Sequence, residues 1–295
     1  MQLSALIAAA GLDISDVAVM FHVSDKPLLN QALPRLAEEE PDLFDAFQNQ
    51  HGPLVEATLI KRGHIASFVT SGIGDYVLAG VFTIAGSTFQ TMAELDADPR
   101  RQELQRRYGD TSFVAFGLEQ GVAGRHVFHL VPHPALAELI GRLRVKKPAK
   151  ASRNYRFLAE NLDCPVVEIT RNRQLTPPPP DWRDFILSSS EMRSLPRDWA
   201  ARLREWRGIY LIIDQQDRMA YVGSAYGTQN LLARWQAHVA GDKGVTKELA
   251  MRDPAGFRFS ILERTSPDLD RDAVIALEQT WKRRLDTLDH GLNRN

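Results

Sequence analysis

Six residues in the last third of this 295-residue chain have types and an order that could do chemistry. Tyr210 closes Gly208-Ile209-Tyr210, Tyr221 opens Tyr221-Val222-Gly223, and Arg234 and His238 follow four positions apart. Glu278 comes next, and Asn293 ends Gly291-Leu292-Asn293. Phenols and an imidazole move protons, a guanidinium offers a planar fork to an oxyanion, and one carboxylate holds a hard cation. Hydrolysis of a phosphodiester asks for such groups: a water in line with the leaving oxygen, charge on the equatorial oxygens, and help for the departing group.

Each candidate also has a plainer reading. Tyr210 and Tyr221 are expected on neighbouring antiparallel strands joined by Gln215-Gln216-Asp217-Arg218, where paired residues lie roughly 5 Å apart, so both hydroxyls could converge on one water. The plainer alternative is two half-buried strand tyrosines used for packing. Arg234 and His238 share one helix face, giving a fork for a non-bridging oxygen and a second donor or acid; otherwise they are a solvated arginine and a capping histidine. Glu278, facing a cleft where its loss would spare the fold, is enough for Mg2+ or Mn2+, which keeps most of its water and takes its other ligands from the substrate phosphate. Its plainer role is an i,i+4 pair with Lys282 on a solvent face.

Taken together, these residues resemble the active site of the GIY-YIG nuclease family, and Arg234-Trp235-Gln236-Ala237-His238 is similar to the helix motif of its restriction-type members. The resemblance implies an α+β fold whose C-terminal part is a small three-stranded antiparallel sheet flanked by helices. It implies Tyr210 as general base and Asn293 as a support of the site, within a catalytic set of Tyr210, Tyr221, Arg234, His238, Glu278 and Asn293. A free phenol titrates near 10, so a cation, a metal-bound water or the second tyrosine must favour its deprotonation. Valine in place of isoleucine in the second triplet changes one methylene at a β-branched position and puts nothing in doubt. The function implied is a metal-dependent DNA endonuclease of the restriction or phage-defence kind, with DNA as partner, Mg2+ or Mn2+ as cofactor, and a homodimer as one way to cut both strands. A repair or mobile-element nuclease is the first alternative. The second, a DNA-binding protein with a non-catalytic scaffold, is opposed by the complete set, since a decayed site would be expected to lose a member.

Around the motif, Gly208–Asp214, Met219–Ser224 and Phe257–Glu263 are predicted strands, and Asn230–Val239 and Ala273–Leu288 predicted helices. Thr176-Pro177-Pro178-Pro179-Pro180 is the clearest break, because four prolines continue neither a helix nor a central strand. The expected division is an N-terminal mixed α/β domain over 1–175, a Pro-rich linker with bridging helices over 176–203, and the nuclease domain over 204–295. In the first domain, Leu3–Ala10 and Leu28–Phe47 have helical spacing. The alternation at Val55-Ala57-Leu59 and Ala66-Phe68-Thr70, the run Tyr76–Ile84, the turn Gly72-Ile73-Gly74, and strands at Phe113–Phe116 and His126–Val131 suggest a compact strand-rich part or barrel that reads DNA.

The chain's net charge of −1 excludes a uniformly basic binder, yet the charge is uneven. Residues 1–60 carry two basic and nine acidic side chains, whereas 142–175 carry nine basic and three acidic ones. Lys146, Lys147, Lys150, Arg153 and Arg156 in that stretch are candidate phosphate contacts, together with Arg234. In a strand His129 and His133 would lie too far apart to share a metal, and His126 and His129 would face opposite sides. Cys164 is the single cysteine, which excludes an internal disulfide and suits a cytoplasmic protein. No apolar stretch is long enough to span a bilayer, and no membrane partner is expected.

Overall fold

A computed structural model of the chain describes residues 1–70, 74–110, 122–148, 155–227, 230–241 and 247–294. The strand expected at Phe113–Phe116, the turn residues Gly72 and Ile73, and the candidate contacts Lys150 and Arg153 lie outside the described residues. Two compact units divide the chain, Met1–Pro177 and Pro178–Asn295. The whole is α+β, and no helix among the described residues is long and apolar enough to cross a membrane.

Seven strands build the first unit's sheet: β1 (Val17–His22), β2 (His64–Thr70), β3 (Tyr76–Thr91), β4 (Gly124–Pro132), β5 (Leu143–Val145), β6 (Arg156–Leu158) and β7 (Val166–Ile169). Their order is β6-β1-β2-β3-β5-β7, with β4 also paired to β3. Among the described residues this order does not close on itself, the strand-rich form rather than a closed barrel. Sequence patterning missed β1. All six of its residues are buried and it runs parallel to β2, so it shows the continuous apolar run of a strand covered on both faces.

Three segments differ from their sequence reading. Val55–Leu59 is part of a helix, Pro53–Leu59, where Gly52 precedes a proline at the first helical position; Val55 and Leu59 are as well spaced for a helix face as for a strand. Leu28–Phe47 is two helices, Pro27–Glu39 and Pro41–Gln48, because Pro41 pushes Glu40 out of the helical region, to φ −137° and ψ 63°. The segment 176–203, expected as a linker with bridging helices, includes β8 (Ile186–Ser188); alternation there puts Phe185 and Leu187 into the core of the second unit.

In that unit β9 (Arg207–Asp214), β10 (Ala220–Ala225) and β11 (Phe257–Thr265) are the three expected strands, and β8 joins them as a fourth. The order is β10-β9-β11-β8, every pair antiparallel. Alternation along β9 sends Tyr210 and Ile212 to one face, against Trp235 of helix Asn230–Ala240. Ile209 and Leu211 go to the other, against Val274, Leu277 and Trp281 of helix Arg271–Arg284. The second face is thus sealed by one long helix, and the first by a helix carrying Arg234 and His238. At Gly208 a Cβ would lie 2.0 Å from the carbonyl oxygen of Glu263, so close backbone approach between β9 and β11 requires the glycine that opens the first triplet.

Candidate active site

Register decides how the two tyrosines meet. Gly223 stands directly opposite Tyr210, and Tyr221 opposite Ile212. The tyrosines are therefore diagonal neighbours rather than the direct pair expected from the hairpin, with ring centroids 6.4 Å apart. Glycine opposite Tyr210 has a steric reason: a Cβ on Gly223 would lie 2.5 Å from both Cζ and the hydroxyl oxygen of Tyr210. The last residue of the second triplet makes room for the last residue of the first.

Tyr210 is 2% exposed, and its hydroxyl lies 2.8 Å from Nε2 of His238. The imidazole centroid stands 5.7 Å from each of the two phenol rings, so one histidine touches both. Burial, and then the Arg234 charge, hold His238 down to about 4. It is neutral at pH 7, with one ring nitrogen within hydrogen-bond distance of the Tyr210 hydroxyl. Its Nδ1 is buried with no hydrogen-bond partner among the described residues.

Neither phenol ionises easily. Burial pushes Tyr210 well above 10, with the neighbouring Tyr221 adding to the rise and Arg234 opposing it. Tyr221 is pushed up to about 12, by burial first and the Glu278 charge second. Proximity of Arg234 offsets part of this but does not reverse it. Arg234 itself is exposed on the helix, one turn before His238.

Glu278 approaches from the other face of the sheet. Its Oε2 accepts a hydrogen bond from the Ser224 hydroxyl on edge strand β10, and its Oε1 is 2.7 Å from Nζ of Lys282. The candidate site therefore straddles β10, with phenols, imidazole and guanidinium on one side of the sheet and the carboxylate on the other. The i,i+4 pair with Lys282 exists, but not on a solvent face: Lys282 is 1% exposed and Glu278 16%. This contact bears on the expectation that loss of Glu278 would spare the fold, because removing the carboxylate beside a buried ammonium is costly. Ser224 escaped sequence reading, although its place next to Gly223 puts it on the face of β10 opposite the tyrosines.

Asn293 is fully buried and clamps the middle of the second triplet. Its Oδ1 accepts from Val222 N at 2.9 Å and its Nδ2 donates to Val222 O at 2.8 Å. Leu292 N donates to Ala220 O at 2.8 Å, so the terminal segment supplies the hydrogen bonds that a further strand would give to this edge of β10. Gly291 permits that approach, since a Cβ there would lie 2.7 Å from the Ala220 carbonyl oxygen and 2.6 Å from the Thr287 backbone. Asn293 thus ties the terminal segment to β10.

Among the described residues no group of three or more His, Cys, Asp or Glu could hold a metal ion. Glu278 still fits an ion that keeps most of its water shell: each carboxylate oxygen has one protein partner and a second lone-pair direction left, and the group is partly exposed. The other sequence candidates belong to the first unit. Lys146 is exposed, Lys147 is half-buried, and Arg156 lies on β6 with its Nε buried. Neighbouring Arg142 is spent on backbone carbonyls, donating to Thr170 O and Glu138 O. His126, His129 and His133 have separate partners, Ser87, Thr88 and the Ala135 backbone.

No curated protein matches the chain. Two solved structures of the catalytic domain of the intron-encoded homing endonuclease I-TevI, one a point mutant, are similar over 30% of this chain and 94% and 96% of theirs, with identities of 24% and 27% and TM-scores of 0.26 and 0.25. The GIY-YIG catalytic domain family matches residues 207–293, a span that begins with β9, ends at Asn293 and takes in every member of the constellation just described. Residues 207–293 are a GIY-YIG catalytic domain, and the chain that carries them is a nuclease.

Proposed function

We propose that the protein is a metal-dependent DNA endonuclease of the restriction or phage-defence kind, in which the first unit reads DNA and the second cuts it. The observation that carries the chemical part is the 2.8 Å contact between the Tyr210 hydroxyl and neutral His238, beside Tyr221 and one helical turn from an exposed Arg234. Phenols held well above neutrality do not act as bases unaided. A neutral imidazole within hydrogen-bond distance supplies the acceptor, so the proton drawn from an attacking water passes through Tyr210 to Nε2 of His238. Tyr221 shares the same imidazole neighbour and orients the water. Arg234 forks onto a non-bridging phosphate oxygen. Glu278, steadied by Ser224, would hold the divalent ion, which when bound supplies charge to the phosphate and to the leaving oxygen.

Incubation of the full chain with unmodified and base-modified phage DNA, first with Mg2+ and then with chelator, tests both parts. Cleavage that needs the ion and differs between the two DNAs is the expected result. Undiminished cutting in chelator would remove the metal from the reading. Equal cutting of all DNAs would remove the restriction role and leave a general nuclease.

A further inference from the structure

Lysine is among the residues least often buried, yet Lys282 is 1% exposed and its ammonium stands 2.7 Å from one oxygen of the catalytic domain's candidate metal carboxylate. The pair lies on one helix, Arg271–Arg284, with glutamate four residues N-terminal to lysine, the favourable orientation. Hydrophobic neighbours on that helix, Val274, Leu277 and Trp281, pack against the sheet and fix the backbone that carries both charges. The other carboxylate oxygen is taken by Ser224. Glu278 is thus oriented from both sides, and its charge is balanced by a cation that cannot swing away into solvent. Arg234, whose charge reaches the same two phenols as that of Glu278, adds a second positive group.

We propose that Lys282 is a positioning residue that keeps Glu278 oriented and charge-balanced until a phosphodiester arrives, so that the divalent ion is captured together with DNA rather than by the free protein. The physical reason is the local charge. One carboxylate set against an ammonium and a guanidinium leaves the empty site positive and unattractive to a dication. A phosphate seated on Arg234 contributes the missing negative charge and further oxygen ligands. Lys282 touches neither DNA nor the reacting atoms, and its effect runs through Glu278. The inference rests on the metal-dependent reading above.

The test measures Mn2+ binding to the full-length protein by calorimetry, without DNA and then with a non-cleavable duplex, alongside thermal unfolding and single-turnover cleavage. For the wild type, weak binding without DNA and clear binding with it is expected. Lys282→Met, which fills the same space without charge, should tighten DNA-free Mn2+ binding by about tenfold or more while slowing cleavage, because the carboxylate loses its orientation. Lys282→Gln serves in the same way should the methionine variant melt too low. Equal DNA-free affinity in wild type and in both variants would overturn the proposal, as would tight DNA-free binding by the wild type. Unfolding separates this from failure of the metal reading: Glu278→Gln should destabilise the protein, and adding Lys282→Met should restore much of the loss, whether or not any metal binds. Restoration without Mn2+ binding in any state would sink the metal reading and leave the pair a structural one; absence of restoration would sink the positioning role.

Discussion

Gly223→Ala adds a single methyl group, and the structure sets what that methyl must do. The new carbon would stand 2.5 Å from Cζ and from the hydroxyl oxygen of Tyr210, and 2.9 Å from Cε2, where ordinary carbon contacts begin near 3.5 Å. The ring must retreat by about 1 Å. It is wedged against Trp235, with ring centroids 6.4 Å apart, and lies 2.8 Å by its hydroxyl from His238 Nε2, so retreat stretches the contact through which the proton is proposed to pass. Overpacking of this kind costs about 1–3 kcal/mol of stability, and a 1 Å misplacement of a reacting group costs on the order of 10²-fold in rate. With enzyme in excess over a DNA duplex, single-turnover cleavage should fall by about 10²-fold, while affinity for the duplex holds. Tyr210→Phe should lose at least as much, and the double variant should be no slower than Tyr210→Phe alone, since both act through one hydroxyl. Cleavage by Gly223→Ala within threefold of wild type, or losses that multiply in the double variant, would refute the Tyr210–His238 relay.

Asn293→Ala removes both hydrogen bonds to the buried Val222 backbone, at about 1–3 kcal/mol for each orphaned group; unfolding of the catalytic unit at a lower denaturant midpoint checks this, and an unchanged midpoint would make the clamp dispensable. His22 and His51 are both held down to about 3, first by burial, whereas in the unfolded chain they titrate near 6.5. The unfolded state therefore binds more protons below that pH. The first unit should keep full stability above pH 6.5 and lose about 2 kcal/mol per histidine on going to pH 5, with loss continuing toward pH 3; an unfolding midpoint that is flat between pH 7.5 and 5 would contradict the burial of both imidazoles. Lys146→Glu with Lys147→Glu should weaken DNA binding at all sequences and flatten the slope of log affinity against log salt by about one unit for each phosphate no longer neutralised. A parallel slope would assign that segment another role.

What the sequence determined by itself was a set of identities and an order. Two triplets, an Arg-to-His spacing of four, one later carboxylate and a terminal Gly-Leu-Asn are local features, and the strands and helices beneath them follow from periods of 2.0 and 3.6 residues that are also local. The strands β9, β10 and β11 and the helix carrying Arg234 and His238 were legible for that reason. Register was not legible, since it depends on which residues face each other across a turn. Only the folded sheet decided that Gly223 rather than Tyr221 stands opposite Tyr210, and therefore why the second triplet ends in glycine. Charge environment was equally hidden. Glu278 and Lys282 read alike on a solvated face and at the edge of a core, and their helix acquires a buried side only by packing on β9 and β10. Strand β1 was invisible because a strand covered on both faces has no alternation to read. The lowered histidines and raised phenols belong to tertiary structure in the same sense: the sequence supplies the titrating group, and desolvation by residues distant in the chain sets its charge.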